Sequence, residues 1–153
     1  MDKPIALGAD HGGFELKEAV KRYLEERGIA CHDYGCYNTE SVDYPDMALA
    51  PCDAVVKGEC RFALLFCGTG VGISIAANKI NGIRACCCSD VFSAKYTRMH
   101  NDANALCMGG RVVGPGLAIE LVDAFLSASF EGGRHSRRVE KLAAIEARER
   151  TTY

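Results

Sequence analysis

The 153 residues are enough for one domain with a single substantial core, and 48% hydrophobic against 25% charged residues excludes a disordered or fibrous chain. Eighteen basic against twenty acidic residues leave a formal charge of −2, so the basic excess of a nucleic-acid binder is missing. Nine cysteines, odd in number and without a C-x-x-C pair, exclude a readable disulfide framework or zinc ribbon.

The opening MDKPIALGAD has no basic segment followed by a long apolar one, so no signal peptide is expected, and no apolar run reaches the length of a membrane span. Free thiols then point to a reducing, cytoplasmic location. Residues 5–9 are a compact apolar run that stops at Asp10-His11-Gly12-Gly13. Over 14–27 the period changes: Leu16, Ala19, Val20, Tyr23 and Leu24 recur at helical spacing, with Glu and Lys on the other face and Gly28 as the stop. Residues 29–34 suit a second strand, weakened by polar His32 and Asp33. A helix over 43–57 follows the turn at Tyr44-Pro45, and Gly58 closes it. FALLFC, 62–67, is an unbroken apolar run of the kind parallel strands need. The glycine loop Gly68-Thr69-Gly70-Val71-Gly72 opens a helix over 73–80. A strand over 83–88, a helix over 91–100, a strand over 105–108 and helices over 117–126 and 139–150 complete the pattern. Strands alternating with helices predict right-handed β-α-β units and a parallel sheet, whose ligands bind beyond the strand C-termini.

Polar chemistry gathers at three expected element ends: Asp10 and His11, then Cys67 with the glycine loop, then His100, Asn101 and Asp102. The loop lacks the Walker lysine, and its third glycine is misplaced for a dinucleotide fingerprint. It offers a row of N–H groups at a helix N-terminus with few Cβ atoms in the way, suited to an anionic oxygen, whether phosphate or developing enolate. A tight turn explains one of its three glycines. Cys67, last in its strand and facing that helix, is placed for chemistry. Cys86, Cys87, Cys88 and Cys107 read as small buried hydrophobes. His32 reads as structural or surface-exposed, while His11 and His100 stand beside polar residues and are candidates for chemistry. Arg134 and Arg138, four apart, share a helical face that could reach a phosphate, although spacing alone fits a solvated basic face as well.

GADHGGFELK (8–17), SVDYPDMA (41–48), CGTGVGISIAANKINGIRA (67–85), HNDANALCMGGR (100–111) and RRVEKLAAIE (137–146) resemble the ribose-5-phosphate isomerase B family, whose sugar-phosphate isomerase group also includes galactose-6-phosphate and allose-6-phosphate isomerases. The resemblance runs through nearly the whole chain and implies one domain over 1–153, a Rossmann-like three-layer α/β/α sandwich with a five-stranded parallel sheet. It implies a homodimer, in some members a dimer of dimers, with shared active sites and a C-terminal helix over about 136–150 packing on the partner. The implied reaction is interconversion of D-ribose 5-phosphate and D-ribulose 5-phosphate in the pentose phosphate pathway, with no metal and no cofactor.

By the same resemblance Cys67 is the base that moves a proton between C2 and C1, and the N–H groups of Gly68, Thr69, Gly70, Val71 and Gly72 hold the cis-enediolate oxygen. Thr69 assists at a hydroxyl. His100 opens the furanose ring, with Asp10 nearby to share or orient protons. His11, Arg111, Arg134 and Arg138 match the phosphate clamp, and Asn101 and Tyr44 match contacts to sugar hydroxyls. The family draws His100, Asn101 and Arg111 from the neighbouring subunit. Members that use a glutamate after the glycine loop are a different case, because Ile73-Ser74-Ile75-Ala76 holds no carboxylate. A six-carbon sugar phosphate is the alternative substrate. A Cys-His hydrolase leaves the arginine cluster unexplained, and a non-catalytic phosphate-binding module leaves Cys67 without a task.

Overall fold

The computed structural model describes residues 2–149, and in it the apolar runs become β1 (Ile5–Ala9), β2 (Cys31–Asp33), β3 (Ala63–Cys67), β4 (Ala85–Cys87) and β5 (Ala105–Gly109). Between and after them run α1 (Phe14–Glu26), α2 (Tyr44–Val56), α3 (Val71–Asn78), α4 (Val91–Asn101), α5 (Pro115–Ser127) and α6 (Arg134–Glu149). The strands form one parallel sheet in the order β2-β1-β3-β5-β4. The three central strands β1, β3 and β5 are buried along their whole length, because helices cover both faces.

On one face Leu16, Val20 and Leu24 of α1, Ala94 of α4 and Leu121, Val122 and Phe125 of α5 pack on Leu7, Leu64, Phe66, Leu106 and Met108. On the other, Ala48 and Cys52 of α2 and Ile73 and Ala77 of α3 pack on Ala63, Leu65, Cys67 and Cys107. The parallel sheet expected from the alternation, and the three-layer α/β/α sandwich implied by the resemblance, are therefore the fold. No helix among the described residues is long and apolar enough to cross a membrane.

Three expectations need correction. Lys17, assigned to the solvent face of its helix, is fully buried. Its Nζ donates to Asp33 at 2.6 and 2.7 Å and to the Cys36 carbonyl at 2.7 Å, so the polar residue that weakened the second strand is the half-buried ion-pair partner of a buried lysine. Burial drives the Asp33 carboxyl up, but the bonds from Lys17, Gly35 N–H and Lys21 outweigh it and hold the group below its ordinary range. Next, the fourth strand is shorter than 83–88, and its middle cysteine, Cys87, is exposed, in contrast to buried Cys88 and Cys107. The alternation of a strand puts Cys87 on the opposite face from Cys88, on a strand at the sheet edge. Finally, the last helix begins at Arg134, ahead of both sequence boundaries, and its expected end at Arg150 lies outside the described residues.

Candidate active site

The C-terminal ends of β1, β3 and β5 lie side by side, and backbone contacts lock them together. After β1 the chain turns at Asp10, whose Oδ1 accepts the N–H groups of Gly12 at 2.9 Å and Gly13 at 3.1 Å. After β5, Gly110 N–H donates to the Cys67 carbonyl at 2.8 Å and Arg111 N–H to the Gly68 carbonyl at 3.0 Å. Asp10 and Cys67 are both buried, at 6% and 3% exposure.

Cys67 ends β3, and its Sγ accepts the Gly70 N–H at 3.1 Å. Gly70 is the N-cap of α3 and has a left-handed backbone, φ 80°, so this close turn requires glycine. A Cβ there would also stand 2.7 Å from the Met108 carbonyl carbon. The helix thus starts inside the loop, at Val71, and its positive end points at the sulfur, as the sequence led us to expect. The expectation that all five loop N–H groups stand ready for an oxyanion is modified. Gly70 N–H is given to Cys67, and Val71 N–H is given to the exposed Thr69 Oγ1 at 3.2 Å.

Other expected residues surround this mouth. A Cβ at Gly72 would meet the ring of Tyr44 at 2.8 Å, and one at Gly68 would meet Arg111 Nη1 at 3.0 Å, which places both side chains on the loop. His11 Nδ1 accepts the Val42 N–H at 3.2 Å, which leaves Nε2 as the proton-bearing nitrogen of the neutral ring. Arg111 therefore sits on Gly68 of its own chain, contrary to the expectation that it comes from a neighbour together with His100 and Asn101. The sequence reading also missed Cys87, taken for core. Its Sγ donates to the Thr69 carbonyl at 3.6 Å, from the far side of the loop. Burial, then negative charge when placed on Cys67 or Cys86, pushes that thiol up.

The remaining residues are elsewhere. Cys67 pairs with Gly109 at the end of β5, whereas His100 and Asn101 close α4 before β5 begins at Ala105. The four steps of β5 separate the two edges by roughly 13 Å. His100–Asp102 is thus not at a strand C-terminus, and Asp10 and His100 of one chain are not neighbours. Arg134 and Arg138 lie exposed on the first turns of α6, beside His135, whose ring stacks on His100 with centroids 4.0 Å apart. Glu131, which the sequence reading passed over, has Oε2 3.7 Å from His100 Nε2 and 3.6 Å from His135 Nε2. Its spacing of four from His135 was the available signal. The expected site residues therefore fall into two groups at opposite ends of the strands.

The ribose/galactose isomerase family matches residues 5–142. The chain is 53% identical over 146 residues to ribose-5-phosphate isomerase B of Escherichia coli, covering 95% of this chain and 98% of that one. Among solved structures it superposes on ribose-5-phosphate isomerase B of Clostridium thermocellum with a TM-score of 0.94 at 49% identity, covering 95% and 99% of the two chains. With the ribose 5-phosphate isomerase of Thermotoga maritima the TM-score is 0.92 at 48% identity, over 94% and 99%.

Proposed function

The chain belongs to the ribose/galactose isomerase family and is an aldose–ketose isomerase that interconverts ribose 5-phosphate and ribulose 5-phosphate; we propose that Cys67 is its base and that its site is shared between two subunits. The observation that carries the reading is Cys67 Sγ at the mouth of the sheet, with the Gly70 N–H and the start of α3 aimed at it. A carbon acid beside a carbonyl yields its proton only while the resulting charge is held, so base and anion site must be adjacent.

Cys67 takes the C2 proton of the open-chain aldose, and charge moves to O1, which the glycine-loop N–H groups hold as a cis-enediolate. The same sulfur returns the proton to C1, while the hydroxyl proton passes from O2 to O1 with Thr69 Oγ1 at hand. Val71 N–H, now on Thr69 Oγ1, is released when that hydroxyl turns to substrate. His11 and Arg111 take the phosphate from this side, and Tyr44 takes a sugar hydroxyl. Neither metal nor cofactor has a step.

Ring opening, the Asn101 contact and the Arg134 and Arg138 arms of the clamp come from a second copy, because one chain holds those groups at the opposite edge. Val71 and Ile75 of α3, Phe92 of α4 and Leu142 and Ile145 of α6 are exposed apolar side chains that suit such a homodimer. Nine free thiols fit a reducing compartment, and we place the enzyme in the cytoplasm.

The test is a coupled isomerase assay on Cys67→Ala, with and without a chelator. Turnover should fall by roughly 10²-fold or more while binding of a phosphorylated sugar persists, and the wild-type rate should be unchanged by chelation. Near-wild-type turnover by the variant would overturn the base, and loss on chelation would overturn the metal-free route.

A further inference from the structure

We propose that Glu131 and His135 are positioning residues for His100: Glu131 holds the proton on Nε2, His135 holds the plane of the ring, and Nδ1 is left to exchange protons with the sugar. The inference rests on His100 as the ring-opening residue.

His100 is held on both sides. The face of His135 lies against it, with centroids 4.0 Å apart and planes 12° apart, and Tyr96 meets it edge-on at 5.0 Å. Tyr96 is itself stacked on Phe92 at 4.2 Å. Glu131 is tied to the end of α4 by its N–H, which donates to the Met99 carbonyl at 3.0 Å. One oxygen of its carboxylate therefore faces both Nε2 atoms, at ion-pair distance. Contacts of this kind tighten when the ring takes charge.

The two histidines are not equivalent. His135 is 4% exposed, and its Nε2 is buried with no hydrogen-bond partner among the described residues, while the His100 side chain is 32% exposed. Burial first, then His100, Arg134 and Arg138, hold the His135 ring below its ordinary value, with Glu131 opposing. Two stacked imidazolium rings would repel, so when His100 takes a proton from the sugar the charge stays on that ring and His135 remains neutral. His135 supplies an uncharged surface, and Glu131 supplies the countercharge.

The donor atoms of His100, Glu131 and His135 lie within 4.8 Å of one another, so a metal ion is the competing occupant. Ring geometry argues against it. The lone pair of a ligating imidazole lies in the ring plane, and two nearly parallel rings cannot both aim at one ion about 2 Å from each nitrogen. A carboxylate shared by two stacked rings orients a base instead. In the ring-opening step His100 Nδ1 takes the proton of the anomeric hydroxyl, the bond from C1 to the ring oxygen breaks as the C1 carbonyl forms, and the imidazolium gives that proton to the freed oxygen. The positive charge between those events is what Glu131 stabilises through Nε2–H.

Ribulose 5-phosphate has no furanose ring to open, because its C5 oxygen carries the phosphate. Incorporation of solvent deuterium at its C1 therefore reports enolisation at Cys67 without ring opening. In Glu131→Gln, isomerisation of ribose 5-phosphate should fall about 10-fold or more, as when an orienting partner is lost, while deuterium incorporation stays within about threefold. His135→Phe, which keeps a ring against His100, should retain more isomerisation than His135→Ala. Isomerisation and exchange falling together, or neither falling, would overturn the positioning role. His100→Asn separates the two layers. If it shows the same split while Glu131→Gln does not, only the positioning fails, and if it isomerises normally the ring-opening reading fails with it.

Discussion

At the mouth around Cys67, backbone does most of the positioning. Strand register sets the sulfur, the Asp10 turn is closed by two N–H groups, and glycines let the β5 end and α3 approach within bonding distance. At the opposite edge, side chains hold one another: two imidazoles stack, one carboxylate faces both, and two arginines stand free of the sheet. The proposed base, which must sit within a fraction of an ångström of a carbon, is built on the rigid part, and the groups proposed to serve a second subunit are carried on helix ends. On the proposed shared site, the two groups should be open to separate damage and to recombination.

The largest effect is expected there. Cys67→Ala and His100→Asn should each depress turnover by roughly 10²- to 10⁴-fold, the usual range for a lost acid–base group. Co-folded one-to-one, they should recover about a quarter of wild-type activity, because half the dimers are mixed and each mixed dimer has one intact site. No recovery would place both groups in one subunit's site.

Damage to backbone geometry at the mouth comes next. Gly70→Ala puts a side chain at φ 80° and 2.7 Å from the Met108 carbonyl carbon, and should cost on the order of 10²-fold in kcat together with a lower melting temperature. At the far edge Arg138→Ala should raise KM about 10-fold and leave kcat nearly intact, since it removes uniform binding of the phosphate. If kcat fell instead, Arg138 would belong to the chemistry.

Alkylation sharpens the contrast further. Exposed Cys87 should be labelled without protection by substrate, whereas inactivation should follow Cys67 and be blocked by ribose 5-phosphate. Cys87→Ser should stay active and remain sensitive to the reagent.

The smallest effect is in pH. His135 has a folded value below its unfolded one, so its contribution to stability is full above about pH 6.5 and is lost as pH falls toward the folded value. Melting temperatures at pH 8 and 5.5 should differ less in His135→Gln than in wild type. An equal difference would remove His135 as a source.

Much of this was legible in the chain. The unbroken run at 62–67 and the helical spacing from Leu16 to Leu24 predict their elements to within a residue or two, because burial on one face leaves a direct periodic record. Position at a strand end marked Asp10, His11 and Cys67 for the same reason. Lys17 and Cys87 were misread because a lone residue's burial depends on what packs over it. Lys17 stays inside because Asp33 and the Cys36 carbonyl meet it, and Cys87 faces out because β4 is an edge strand.

By itself, then, the sequence determined an α/β chain with a cysteine set against a glycine-lined helix start, and motifs enough to mark its family. It could not show that His100 and Cys67 stand at opposite edges of the sheet. Spacing along the chain records local geometry, while the direction in which each helix returns decides which end of the sheet a residue reaches. Tertiary structure alone separated His100 from Cys67 and brought Glu131 and His135 to His100.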